Sequence, residues 1–212
     1  MEVAMIAGES FLEHYNACRD GRWWITVPKT DAQIRIRRVG DNLYIDFQEA
    51  KSWVDWIMLG WFWKKKLDYL PHKVHTGFAK KYDSLVSLVR KAVRDNPDVD
   101  RIIVRGFSKG AGFATMCACD LSAGEKSVTA IAFGGPRVFE KGASCENLLT
   151  VHNRGDIITM LPPKLLGYRH VGKVLKIGEG WRVPRAKWHE PKAYRKELSE
   201  GDAMIAGDAY EV

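Results

Sequence analysis

Gly106-Phe107-Ser108-Lys109-Gly110 is a G-x-S-x-G pentapeptide. The apolar run Ile102-Ile103-Val104 precedes it and reads as a buried strand; a helical pattern follows from about Gly110 to Leu121. Strand, sharp turn and helix, with a serine at the apex, is the context a nucleophile elbow requires. Side chains at the two flanking positions would collide in such a turn, which calls for glycine at both. The helix N-terminus then lies next to the serine, where backbone N–H groups and the dipole favour a developing anion. The alternative, on the pentapeptide alone, is a tight glycine turn carrying an exposed serine.

A serine hydroxyl is a poor nucleophile until a base takes its proton and a carboxylate orients that base. Open parallel sheets gather chemistry at the C-terminal ends of their strands. Asp156 follows the strand-like Leu148-Leu149-Thr150-Val151-His152 and falls at that edge. His189, in Trp188-His189-Glu190-Pro191, sits in a loop that opens a helical pattern. The chain order is then Ser, Asp, His, as in hydrolases of this architecture. Of the other histidines, His14, His72 and His75 precede the elbow strand and His152 lies within a strand. His170, shortly after Asp156 and inside a strand-like stretch, stays open as the second candidate base. His72 and His75 have no acidic or cysteine partners at ligand spacing, so no metal is expected, and this chemistry requires no cofactor.

The elements that must position these groups follow from periodicity. Ser10-Phe11-Leu12-Glu13 is a capping box opening a helix to about Cys18. Arg22–Val27 is strand-like and stops at Pro28. Gln33-Ile34-Arg35-Ile36-Arg37 alternates, which predicts one face in the core and the arginines in water; Leu43–Phe47 returns after the Gly40-Asp41-Asn42 turn. Phe78, Tyr82, Leu85, Val89 and Ala92 predict one amphipathic helix over 77–95. Ser127–Phe133 is another strand, Tyr168 to Ile177 a further strand or hairpin, and Lys187 to Leu198 a final helix. Strands alternating with helices predict an α/β fold with a mostly parallel sheet.

The chain has 212 residues, a net charge of +7 and ordinary apolar and charged fractions, 46% and 28%. That suits one domain with a sizeable core. No run of roughly 18 apolar residues is present. The opening Met1-Glu2-Val3-Ala4-Met5-Ile6 lacks a basic leader, which leads us to expect a cytoplasmic protein. Cys18, Cys117, Cys119 and Cys145 form no C-x-x-C pair and read as free thiols; Cys117 and Cys119 point to different helix faces and cannot pair with each other. The positive charge alone allows nucleic acid or an anionic membrane, but no nucleic-acid motif accompanies it.

Residues 51–70 break the pattern, with Trp53, Trp56, Trp61, Phe62 and Trp63 followed by Lys64-Lys65-Lys66. Trp favours a lipid–water boundary and Lys favours anionic headgroups. The alternative is a Trp-rich segment packed on the core with solvated lysines.

In sequence order, Ser52-Trp53-Val54-Asp55-Trp56, Val74-His75-Thr76-Gly77-Phe78, the elbow, Phe133-Gly134-Gly135-Pro136-Arg137-Val138, Asn153 to Pro162, Tyr168-Arg169-His170-Val171-Gly172 and His189 to Tyr194 resemble successive motifs of the class 3 (fungal-type) lipases of the α/β-hydrolase superfamily. The resemblance covers roughly Leu43 to Leu198. It implies a three-layer fold with a mostly parallel central sheet flanked by helices, formed by 1–212 as one domain. It also implies a serine esterase acting on lipid or acyl esters, with Ser108 as nucleophile, Asp156 as orienting acid, His189 as base, and His75 and His170 as structural. The oxyanion would be held by the N–H groups of Lys109 and Ala50. By analogy, a lid-like segment lies at about 51–72, with Trp53, Trp56, Trp61 and Trp63 toward substrate and a transient anionic membrane surface as a partner.

Two positions depart from the pattern. The family places a threonine or serine hydroxyl where Ala50 stands; losing such a donor costs about 3–4 kcal/mol of transition-state stabilisation, unless Gln48 or another group substitutes. Lys109 replaces an apolar residue. A catalytically silent protein that binds membrane or a partner through its Trp/Lys segment is the alternative the Ala50 departure supports.

Overall fold

The computed structural model describes residues 9–28, 30, 32–48 and 63–205, with 201–205 as helical backbone. Its main sheet contains β1 (Ile25–Val27), β2 (Ala32–Val39), β3 (Asn42–Phe47), β6 (Arg101–Phe107), β7 (Ser127–Phe133), β9 (Leu148–Asn153) and β11 (Lys173–Ile177). They lie in the order β1-β2-β3-β6-β7-β9-β11. The first three are antiparallel; β3, β6, β7, β9 and β11 run parallel. A second, antiparallel sheet joins β4 (Lys64–Lys65), β5 (Val74–His75), β8 (Phe139–Glu140) and β10 (Tyr168–Arg169) in the order β10-β8-β5-β4.

The helices are α1 (Phe11–Arg19), α2 (Thr76–Asp83), α3 (Val86–Asp95), α4 (Lys109–Leu121) and α5 (Pro191–Ile205). The central strand β6 is buried from Ile102 to Phe107, as an interior parallel strand covered on both faces must be. Two apolar clusters form. One packs Ile102, Val104, Phe78, Leu85 and Phe113 beneath α2, α3 and α4. The other packs Phe107, Phe133 and Val151 against Phe11 and Tyr15 of α1 and Tyr194 and Leu198 of α5. The result is a three-layer α/β arrangement with helices on both sheet faces.

The structure differs from the sequence expectation at four places. The helix expected over 77–95 is broken at Ser84-Leu85. Ser84 donates both its N–H (3.2 Å) and its hydroxyl (2.6 Å) to the Lys81 carbonyl, closing one helix while Leu85 is drawn fully into the core. The stretch 168–177 supplies two strands to two different sheets rather than one hairpin. The strand expected from Arg22 starts only at Ile25, because Trp23 has φ 63.

Finally, Arg35 does not face water. It is 1% exposed and donates from Nη2 (2.8 Å) and Nε (3.1 Å) to Asp46 Oδ2. Asp46 lies directly across from Arg35 on one side and Arg105 on the other, and Arg105 Nε donates to Asp46 Oδ1 at 2.7 Å. Alternation places Arg35 opposite the Ile34/Ile36 face correctly, but α1 covers that second face. A buried charge is tolerable there because it is paired and hydrogen-bonded.

Candidate active site

Ser108 sits between the C-terminal end of β6 and the first residue of α4, with φ 57 and ψ −120. Positive φ at a non-glycine residue costs roughly 1–2 kcal/mol and persists only where the surroundings enforce it. Here the enforcement is visible. The Ser108 N–H donates to the Phe133 carbonyl at 2.9 Å, and the Ala111 N–H donates to the Ser108 carbonyl at 3.1 Å. The flanking glycines are required by close approach. A Cβ on Gly106 would stand 2.2 Å from the Gly110 carbonyl oxygen, and one on Gly110 would stand 2.1 Å from that of Phe47.

Asp156 lies just beyond β9, fully buried. Its Oδ1 accepts from the Ile158 N–H at 2.8 Å. Its Oδ2 accepts from the Tyr194 hydroxyl at 2.6 Å and meets His189 Nδ1 at 2.8 Å. His189 Nε2 in turn lies 2.8 Å from Ser108 Oγ. An ionised carboxylate only accepts, so the proton belongs on Nδ1, and Nε2 is left to accept from the serine hydroxyl. The ring of His189 is also stacked on Phe107, with centroids 5.0 Å apart and planes at 16°. Ser108, His189 and Asp156 thus form one contiguous hydrogen-bonded line, from a strained serine to a buried carboxylate.

What brings His189 there is a clasp between two loops. Asp156 and Arg185 form a parallel β-bridge, and the Arg185 N–H donates to the Gly155 carbonyl at 2.9 Å. Asn153 Nδ2 holds the Trp188 carbonyl at 3.0 Å. Gly155, at φ +79, leaves no room for a Cβ, which would meet Trp188 Cδ1 at 2.7 Å. A short 3₁₀ turn, Ala186–His189, then ends at Pro191, the first residue of α5, where proline's fixed φ suits helix initiation.

Tyr194 is the functional neighbour that spacing did not reveal. Its hydroxyl accepts from the Asn153 N–H at 3.0 Å while donating to Asp156, and burial pushes its pKa well up, so it stays a donor. The signal was present in the His189-to-Tyr194 motif, without a role attached.

The rival base is occupied elsewhere. His170 Nε2 lies 2.7 Å from the Thr159 carbonyl, and its ring lies 4.3 Å from that of His152. Burial lowers the pKa of His170 to about 4 and holds that of His152 well below the usual imidazole value, so both are neutral. His75 caps α2, accepting from the Gly77 N–H at 3.2 Å through Nδ1, and burial lowers it to about 4. Among the described residues no group of three or more His, Cys, Asp or Glu could hold a metal ion.

Lys109 is the first residue of α4, so its N–H belongs to the helix turn nearest the serine. The second expected oxyanion donor, Ala50, and the tryptophans Trp53, Trp56 and Trp61 lie outside the described residues. Gln48, at the end of β3, is half-buried, and its Oε1 has no partner among the described residues. Trp63 is 73% exposed. Leu67 and Leu70 are buried in the core, so this end of the segment expected to be lid-like packs into the body. Lys64 is fixed by β4, donates to the Leu166 carbonyl at 3.0 Å and lies over the Tyr168 ring.

Comparison with known proteins places these features in a family. The profile described as Lipase (class 3) matches residues 44–166, which include Ser108 and Asp156 and stop short of His189. Phospholipase A1-II 5 of Oryza sativa subsp. indica is 32% identical over 140 residues, covering 57% of this chain and 29% of that protein. A lipase of Rhizomucor miehei is 27% identical over 169 residues, covering 71% of this chain and 46% of that protein. The chain therefore spans less than half the length of these relatives. In fold it is similar to lipase II from Rhizopus niveus, with a TM-score of 0.65 at 23% identity over 74% of this chain and 66% of that one. A lipase from Rhizopus microsporus var. chinensis aligns with a TM-score of 0.63 at 22% identity, covering 82% and 71%.

Proposed function

The chain belongs to the class 3 lipase family, and on that premise we propose that it hydrolyses carboxylic esters of lipid or acylglycerol type. The observation that carries this reading is the unbroken line Ser108 Oγ–His189–Asp156, set on a serine whose backbone is held at positive φ. In this reading Ser108 Oγ attacks the ester carbonyl carbon as His189 Nε2 takes the hydroxyl proton. The Nδ1–H keeps donating to Asp156, whose two other donors, Ile158 N–H and Tyr194 Oη, keep the carboxylate from turning away. The tetrahedral oxyanion is held by the Lys109 and Ala50 N–H groups. Collapse expels the alcohol, which leaves with the proton from Nε2. A water, deprotonated by Nε2, then attacks the acyl-serine and releases the acid.

The substrate class rests on the relatives and on an exposed apolar face. Trp63, Leu165 and Leu166 are solvent-facing at 73%, 95% and 42%, and Lys64 ties the first of these segments to the second. Apolar side chains among lysines suit a lipid–water boundary, anionic headgroups included.

The test is covalent labelling by a fluorophosphonate together with hydrolysis of p-nitrophenyl esters of graded chain length. Wild type is expected to label at Ser108 and turn over; Ser108→Ala is expected to do neither while remaining folded. Equal hydrolysis by the two proteins would refute the mechanism. A folded wild type that neither labels nor turns over would favour a binding protein instead, and a steep preference for short chains would replace lipid esters with small ones.

A further inference from the structure

Away from the serine, at the far end of the helix it begins, two thiols meet. Cys119 lies near the end of α4 and Cys145 in the connection between β8 and β9, and the two thiols are near enough to shift each other's titration. Each is 7% exposed, yet both line a surface cleft of about 440 Å³ with Lys66, Tyr69, Ser122 and Ser144. The remaining cysteines are placed differently. Cys117, on another face of the same helix, is completely buried beside Tyr82 and Asp120, and burial pushes its thiol up. Cys18 donates from Sγ to the Tyr15 carbonyl at 3.2 Å within α1.

We propose that Cys119 and Cys145 are a redox-modification site, forming a reversible intramolecular disulfide by exchange with a low-molecular-weight disulfide such as oxidised glutathione, with Cys145 the attacking thiol. The assignment of roles follows from the partners. Cys145 faces the Cys119 thiol and the Asn147 N–H, which favour its thiolate and, against the burial that opposes it, bring it down to about 7. Cys119, as the donor in that contact and buried, is pushed up. The thiolate is the reactive form. Cys145 also sits on a connecting segment rather than in a helix, so it can make the approach to a bond of about 2.0 Å.

The exchange balances as follows. The Cys145 thiolate attacks one sulfur of the small disulfide RSSR; the S–S bond breaks and RS⁻ leaves, taking up the proton Cys145 lost. Cys119 then gives up its proton and attacks Cys145 Sγ, expelling the second RS⁻, which is protonated in turn. Two protein thiols are oxidised to one disulfide, and RSSR is reduced to two RSH. The bond would tie the end of α4 to the entry of β9, the strand that delivers Asp156. Closing that loop restricts the unfolded chain, so the oxidised protein should melt roughly 5–10 °C higher than the reduced one.

The test incubates the folded chain with excess oxidised glutathione, alkylates the remaining thiols under denaturing conditions, and maps non-reduced peptides by mass spectrometry. The expected result is a Cys119–Cys145 linked peptide with Cys18 and Cys117 alkylated, a matching rise in melting temperature, and reversal of both by dithiothreitol. In Cys119→Ser the glutathione adduct should accumulate on Cys145; in Cys145→Ser no adduct should appear on Cys119. A wild type in which Cys145 stays alkylatable, keeps a glutathione adduct, or links to a different cysteine would overturn the proposal. That wild-type outcome is decisive whether or not either variant folds.

Discussion

Gly110→Ala separates two opposing effects whose sizes can be compared. Gly110 is the second residue of α4, and in an open helix alanine would stabilise by roughly 0.5–1 kcal/mol. Here the new Cβ would stand 2.1 Å from the Phe47 carbonyl oxygen, 2.8 Å from the Phe47 carbonyl carbon and 3.0 Å from the Gln48 oxygen. These are backbone atoms, so no side chain can rotate away. Relief requires the end of β3 and the start of α4 to part by roughly 1 Å, and overpacking of this kind costs about 1–3 kcal/mol or more. The steric term therefore wins, and the melting temperature is expected to fall by roughly 3–10 °C. The same movement separates Ser108 and the Lys109 N–H from the segment that follows β3, and misplacement of that order costs about 10²-fold in rate. Thermal melting and p-nitrophenyl ester kinetics read the two effects. Gly21→Ala is the control, because nothing lies within 4 Å of its added Cβ. A Gly110→Ala protein as stable as Gly21→Ala, or more so, with a kcat/KM within twofold of wild type would refute the reasoning.

Three further outcomes are expected. Ser108→Gly should abolish ester hydrolysis yet raise stability by about 1 kcal/mol, since glycine accepts the φ of 57 without cost; Ser108→Ala should show no such gain, and equal melting temperatures for the two variants would argue against backbone strain. Tyr194→Phe keeps the ring against Tyr15 and Phe107 but orphans the Asn153 N–H and takes one donor from Asp156; it should lose about 1–3 kcal/mol in urea denaturation and about tenfold in kcat, and an unchanged kcat would show that the hydroxyl does not position the carboxylate. For acid, the folded pKa values of His75 and His170 are about 4 against about 6.5 in the unfolded chain. The unfolded chain therefore binds more protons between those limits, and stability should be full above pH 6.5 and fall toward pH 4 by on the order of 2–3 kcal/mol per histidine. Urea midpoints that rise on acidification over this range would contradict the burial of these rings as neutral groups.

Much of the site was legible because its constraints are local. The turn at Ser108 needs glycine at 106 because Gly110 lies just beyond it in the same turn, although the crowding at 110 comes from Phe47 across the sheet, and the strand before it and helix after it announce themselves by apolar content and period. The β2–β3 hairpin, the β7 and β9 strands and the order Ser108, Asp156, His189 are likewise features of spacing. At Arg35 and over 168–177 the deciding contact came from far along the chain. The alternation at Arg35 marks two faces but cannot say that α1 covers the second. The period over 77–95 continues through Ser84, where hydrogen bonds to the Lys81 carbonyl close the helix as Leu85 turns into the core. The strand-like run 168–177 carries no mark that its two halves join different sheets.

The same distinction divides the chemistry. Residue types and order alone nominated Ser108, Asp156 and two possible bases, because nucleophile, acid and base are kinds of side chain and strand ends are places along a chain. They could not choose between His170 and His189, both of which follow Asp156. Tertiary structure separates the two: the Asp156–Arg185 bridge carries the 186–189 turn to the serine, whereas Thr159 and His152 engage His170. It likewise decides that Cys119, which cannot reach Cys117 two residues away on the same helix, finds its sulfur neighbour in Cys145 instead. A sequence specifies what each group can do; which groups share a hydrogen bond is a long-range geometric outcome of packing helices and loops onto one sheet.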